Sequence, residues 1–186
     1  MFPVTFLSGC LRGRAVINSA SYITKMKFPR EIAVISDAFS QIISTVIVYL
    51  IVIIIILSNG QPMDWSAAAM IAPMLVLMFF FGVGCSFILS TICVFVKDMG
   101  HFLAIAMRGI MWLTPTFFMA NEVKGALNII WYNPLTYFVE CFHDIIYFGR
   151  FPNVTYVLIC IGLTAVVLVI GWLVFQYYKP RFPEVL

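Results

Sequence analysis

Long uncharged runs separated by short polar islands set the pattern of this chain. Residues 38–57 carry no charge and are rich in Ile and Val. Residues 66–96 are uncharged as well, with Pro73 early and Gly82 and Gly84 near the middle. Residues 102–120 hold one charge, Arg108, and a proline, Pro115. Residues 154–178 form the last run. A membrane-crossing helix needs about 20 apolar residues, so each run predicts a span. The β-branched content does not argue for strands, because a helix is the one open structure that satisfies every backbone group in lipid. Asp37 is placed to cap the first span. The run at 66–96 is long for one crossing and reads as a tilted or kinked helix, or as a short surface turn before Pro73. Gly82 and Gly84 mark a point of close packing. Pro115 is expected to kink or end its helix.

The segment between 120 and 154 is different. It is apolar but broken by Asn133-Pro134, and it then carries Glu140, His143 and Asp144. The residue before a proline is biased away from helix, so two short helices that meet at the break without crossing are expected. Glu140 and Asp144 lie one turn apart and share a helix face. That face reads either as a solvated surface or as an acidic lining of a polar exit. Glu-x-x-His can ligate metal in carboxylate bundles, but the second copy and the extra Glu residues that such a site needs are absent.

Composition agrees with the pattern. The 186 residues are 63% hydrophobic and 10% charged, against roughly 25% charged in soluble domains. The chain is therefore read as an all-α integral membrane protein: a helical bundle with about four full spans, a partial one at residues 1–17, and two re-entrant or interfacial helices at 121–153. Met1 to Leu11 is apolar, lacks a basic leader and a clear cleavage site, and is not read as a signal peptide. The five cysteines include no CxxC pair and read as small buried hydrophobes. The net charge of +3 gives no basic stripe for nucleic acid.

The basic residues instead orient the chain. Arg12, Arg14, Lys25, Lys27, Arg30, Lys97, Lys179 and Arg181 fall on one side, Lys124 and Arg150 on the other. The first side, with the C-terminus, is expected to be cytoplasmic, and residues 121–153 external. Arg108 lies inside a span, where a charge is either functional or snorkels to the interface. No GxxxxGK[ST] phosphate loop, HExxH or GxSxG occurs, so no catalytic residue is assigned and any energy from ATP must come through another chain.

Three stretches carry a family resemblance. Lys25-Met26-Lys27-Phe28-Pro29-Arg30-Glu31 resembles a Lys-x-x-Phe-Pro-Arg-Glu segment, and Lys97-Asp98-Met99-Gly100-His101 resembles an Arg-Asp-x-Gly-His turn with lysine in place of arginine. Trp112-Leu113-Thr114-Pro115, followed by Asn133-Pro134-Leu135, resembles a Ser/Thr-Pro and Asn-Pro-Leu region. Together, in this order, they resemble the permease subunit of type-2 ABC exporters of polysaccharide or polyol phosphate: O-antigen, capsule or teichoic acid. The resemblance implies a homodimer in the bacterial inner membrane, with two copies of an ABC ATPase subunit and a lipid-linked polysaccharide as cargo. It implies no cofactor in this chain, ATP and Mg belonging to the ATPase. Lys25, Lys27, Phe28, Pro29, Arg30 and Glu31 would couple to the ATPase within a cytoplasmic region at 18–36, with Lys97, Asp98 and His101 in a second cytoplasmic turn. Arg108, Trp112, Phe117, Phe118, Trp131 and Tyr132 are candidates for the substrate path, and Asn133, Pro134, Glu140 and Asp144 for an external gate. Against the six helices and amphipathic N-terminal helix of that family, the chain reads as N-terminally truncated: a fragment, a misassigned start or a degenerate product. The same fold with a lipid or drug cargo, or a membrane-embedded glycan or lipid transferase using Glu140, His143 and Asp144, are the competing readings.

Overall fold

The computed structural model describes residues 30–58, 65–96, 99–115 and 130–181. Among these residues every regular element is helical: α1 (Arg30–Ser58), a four-residue α2 (Trp65–Ala68), α3 (Ile71–Phe95), α4 (Met99–Leu113), α5 (Pro134–Ile146) and α6 (Val154–Tyr178), ending in a 3-10 turn at Lys179–Arg181. Among the described residues three segments, Val34–Ile56, Trp65–Phe95 and Val154–Tyr178, are long and apolar enough to cross a membrane. The protein is an all-α membrane protein, as its pattern predicts.

Helix α1 already runs from Arg30, so Asp37 lies about two turns inside it and is not its cap. Hydroxyls in α1 bond back along the helix: Ser40 Oγ to the Ser36 carbonyl at 3.1 Å, Ser44 Oγ to Ser40 at 3.2 Å, and Thr45 Oγ1 to Gln41 at 2.9 Å. A hydroxyl facing hydrocarbon has no water to bond, and a carbonyl one turn back is the nearest acceptor. Ile43, Ile47, Leu50 and Ile54 form an exposed apolar row beside them.

The run at 66–96 takes its second expected form, a break before Pro73. Helix α2 stops at Ala68, and α3 restarts at Ile71. Pro73 has no N–H for the carbonyl four residues back, and its ring would strike that carbonyl. With the break at Ala69 and Met70, Pro73 falls in the first turn of α3, where the missing donor costs nothing. Helix α4 ends at Leu113, two residues before Pro115. The backbone ahead of a proline leaves the helical region.

Helix α3 lies in the most enclosed of the three span-length segments, and its main partner is α6. Contacts advance in the same direction along both. Gly84 meets Leu168 and Gly171, Phe87 meets Trp172 edge-on and Phe175 at a tilt (ring centroids 5.6 and 5.0 Å), and Phe95 meets Tyr178. The two helices are therefore parallel, while α1 runs opposite, its first turn lying beside the end of α6. Gly84 and Gly171 allow the backbones to touch, as small residues do between membrane helices. A Cβ on Gly84 would sit 2.8 Å from Leu168 Cα, and one on Gly171 would overlap the Gly84 carbonyl oxygen. The close-packing point expected at Gly82 and Gly84 is thus real, and its partner is Gly171.

Helix α5 fills the opposite end of the bundle. Phe138 packs on Phe81 of α3 and Phe142 stacks on Tyr49 of α1, at 5.2 and 5.1 Å between centroids. Both of its ends stay near the start of α6: Trp131 and Tyr137 touch Tyr156, and residues 147–153 lead directly into Val154. It is 13 residues long, about 20 Å, shorter than a membrane crossing needs.

The backbone contact is directly testable. Gly171→Ala is expected to lower stability by about 3 kcal/mol, the upper range for overpacking a site that cannot yield. Gly162→Ala, where a Cβ would meet nothing within 4 Å, should change stability by no more than about 0.5 kcal/mol. Thermal unfolding in detergent separates the two.

Candidate functional site

The two family-like proline motifs meet in space. Asn133 Nδ2 donates to Thr114 Oγ1 at 2.8 Å, and the Thr114 hydroxyl donates to the Ile110 carbonyl at 2.7 Å. The Asn133 side-chain oxygen accepts from the Leu135 amide at 3.0 Å, capping α5, with Pro134 at the first helical position. One asparagine thus starts α5 and ties it to the end of α4 across 19 residues. Thr136 adds a bond to the Ile130 carbonyl at 2.7 Å, which fixes the turn at residues 130–132 against α5.

The acidic face of α5 is not a solvated surface. Glu140 and Asp144 are each only 6% exposed, and His143 is half-buried. Asp144 Oδ1 accepts from Arg150 Nε at 2.8 Å and from Nη2 at 2.5 Å. Gly149 adopts φ 57°, a left-handed turn that reverses the chain, so that the Arg150 amide also reaches the Asp144 carbonyl at 3.0 Å. The guanidinium lies 4.6 Å from the centre of the Phe148 ring. Asp144 is therefore a closure of the α5–α6 loop rather than an open carboxylate. Burial lowers the His143 pKa, against the pull of Glu140 and Asp144. Among the described residues no three His, Cys, Asp or Glu side chains converge on a metal position.

The aromatic candidates separate. Trp131, Tyr137 and Tyr156 form a mutual cluster with centroids 5.6–5.8 Å apart, and the Tyr137 hydroxyl donates to the Trp131 carbonyl at 3.1 Å. Tyr137 and Tyr156 were not candidates from sequence; their spacing along two different helices gives no local signal. Tyr132, adjacent to Trp131, is 87% exposed. Trp112, 84% exposed, shares a face of α4 with exposed Arg108, Ile105 and Phe102, away from that cluster in sequence and without a ring contact to it among the described residues. Phe117 and Phe118 lie outside the described residues, as do Lys25, Lys27, Phe28, Pro29, Lys97 and Asp98. His101 falls in the first turn of α4.

At the other end of the bundle, Glu31 turns inward. Its Oε1 accepts from Lys179 Nζ and, at 3.4 Å, from Gln176 Nε2. The carboxylate side chain is 15% exposed. Burial works to raise its pKa, but Lys179, a backbone amide and Gln176 outweigh it, and the net direction is downward from 4.5.

Residues 1–147 match the family model described as ABC-2 type transporter. The chain belongs to the ABC-2 type transporter family. Two O-antigen export system permease proteins RfbA of Klebsiella pneumoniae are each 24% identical to it over 173 residues, or 91% of this chain. The chain spans 66% of the length of these relatives. Within this ABC-2 chain, the matched region holds α1 to α5 and both proline motifs, while the α3–α6 contact depends on a helix beyond residue 147.

Two outcomes are expected of the ABC-2 chain. Arg150→Met removes the guanidinium from a buried carboxylate and should destabilise by about 1–3 kcal/mol; adding Asp144→Asn should recover part of that loss in thermal unfolding. The Glu31 contact, resting on a lowered carboxylate pKa, is fully present above 4.5 and lost as pH falls through the folded value below it. Stability of the wild type should therefore drop on acidification, and the gap between it and Glu31→Gln should narrow as pH falls below 4.5.

Proposed function

We propose that this chain is the membrane-spanning subunit of an ATP-driven exporter that moves a lipid-linked polysaccharide across the bacterial inner membrane. The reading is carried by the similarity to O-antigen export permeases along 91% of the chain, together with family membership over residues 1–147. Two copies form the conduit, and two ABC ATPase subunits on the cytoplasmic face supply the energy. The chain itself performs no chemistry, and ATP and Mg are held by the ATPase. The excess of Lys and Arg at the Arg30 and Lys179 end supports a cytoplasmic position for that end and for the C-terminus.

In this reading Lys25, Lys27, Phe28, Pro29 and Arg30 dock into the ATPase, with the turn at Lys97, Asp98 and His101 nearby. Helix α5 is the external gate. Asn133 and Pro134 set its start, and the Asp144–Arg150 pair fixes its end. The exposed rings of Tyr132 and Trp112 suit stacking on sugar, and Trp131, Phe117 and Phe118 are further candidates for the substrate path. Arg108, an exposed cation on an apolar helix, suits the phosphate of a lipid carrier.

The test is complementation of a strain lacking its O-antigen export permease, read as surface glycan, with capture of the cognate ATPase on the tagged full-length protein. Arg30→Glu is expected to weaken ATPase capture and surface glycan together by about tenfold or more, as reversal of an interface charge does. Intact capture and export in that variant would sink the docking assignment. ATPase stimulation by a lipid or drug in place of a glycan would move the cargo to that class.

A further inference from the structure

The segment proposed to dock into the ATPase ends at Arg30, and Glu31, the next residue, does not face outward. It is held by Lys179 and Gln176, which lie 148 and 145 residues away at the far end of α6. Its second oxygen, Oε2, is buried with no hydrogen-bond partner among the described residues. With one oxygen unmet, part of the cost of burying the carboxylate goes uncompensated, although the pair with Lys179 outweighs it overall. The arrangement also provides a connection. Glu31 is covalently one residue from Arg30, and Lys179 is the first residue beyond the last turn of α6.

Helix α6 is suited to carry what it receives. It is a continuous helix of 25 residues without charge or proline, about 37 Å long. Its second half is locked to α3 by the Gly84–Gly171 contact. Its other end bears Tyr156 against Trp131 and Tyr137, and the Asp144–Arg150 closure ties α5 into the loop that begins it. A chain of packed groups thus runs from the residue after the docking island to the helix read as the gate.

We propose that Glu31 and Lys179 form the joint through which movement of the ATPase-facing segment is passed to α6 and on to α5. This rests on the transport reading above. Glu31 is then a positioning residue acting through Lys179, and not part of the docking surface to which its place in the sequence assigns it. The test separates transmission from docking and from folding.

Full-length protein is coexpressed with its ATPase, and three quantities are measured: ATPase captured, ATP hydrolysed and glycan exported. Glu31→Gln and Lys179→Met should each keep ATPase capture and hydrolysis near wild type while lowering export per ATP by about tenfold, within the usual range of coupling between sites. The exchanged pair, Glu31→Lys with Lys179→Glu, should restore most of the export. Export that falls only in step with ATPase capture would overturn the inference, as would single variants that export normally or an exchange that rescues nothing. Where a single variant fails to accumulate, Glu31→Cys with Lys179→Cys, bridged by a short bifunctional thiol reagent, answers instead. Bridging should leave export intact because the two residues move together, and loss of export on bridging would overturn the joint. A wild-type protein that captures no ATPase at all would refute the transport reading, and the joint with it.

Discussion

Two glycines hold the described part of this protein in register. With no hydrophobic force between helices in lipid, helix association depends on close packing and buried hydrogen bonds. The Gly84–Gly171 contact brings the backbones of α3 and α6 together. Around it, Phe87 can interleave with Trp172 and Phe175. A parallel pair joined at one fixed point defines the bundle axis, and the other helices are arranged by it: α1 antiparallel along one side, α5 wedged across one end.

The polar groups fall at the two ends of this axis and serve connection more than exposure. Asn133 joins α4 to α5, Asp144 joins α5 to the loop before α6, and Glu31 joins α1 to the turn after α6. Each link bridges elements that apolar packing alone would leave free to slide. In a family whose work is read as movement across a bilayer, such links decide which helices move as one body.

The sequence made the fold class plain, because lipid leaves the helix as the only open solution and the charge deficit left lipid as the only solvent. Pro73 and Pro115 likewise announced breaks by simple loss of a donor. The side-chain environment was less legible. Glu140 and Asp144 share a helix face as their spacing demands, but a left-handed Gly149 returns Arg150 to Asp144, and a single glycine in a loop does not reveal where the chain turns. Asp37 resembled a cap only because charge patterning placed the helix start too late. Gly171 stood alone in an apolar run, with nothing local to pair it with Gly84. The Glu31–Lys179 contact spans almost the whole chain and has no local trace.

The hydroxyl ladder of α1 has a mechanical side. Ser40, Ser44 and Thr45 each spend their proton on a carbonyl one turn back, so those carbonyls are shared between two donors. Sharing of this kind loosens the backbone ladder and lets a helix bend. The softened stretch lies between Glu31, clasped at one end, and the stiff Ile-rich turns that lead to Ser58 at the other. Helix α1 is thus built less like a rod than like a rod with a flexure, and a displacement applied at its first turn can be taken up within about two turns of helix without tearing the apolar half from its place.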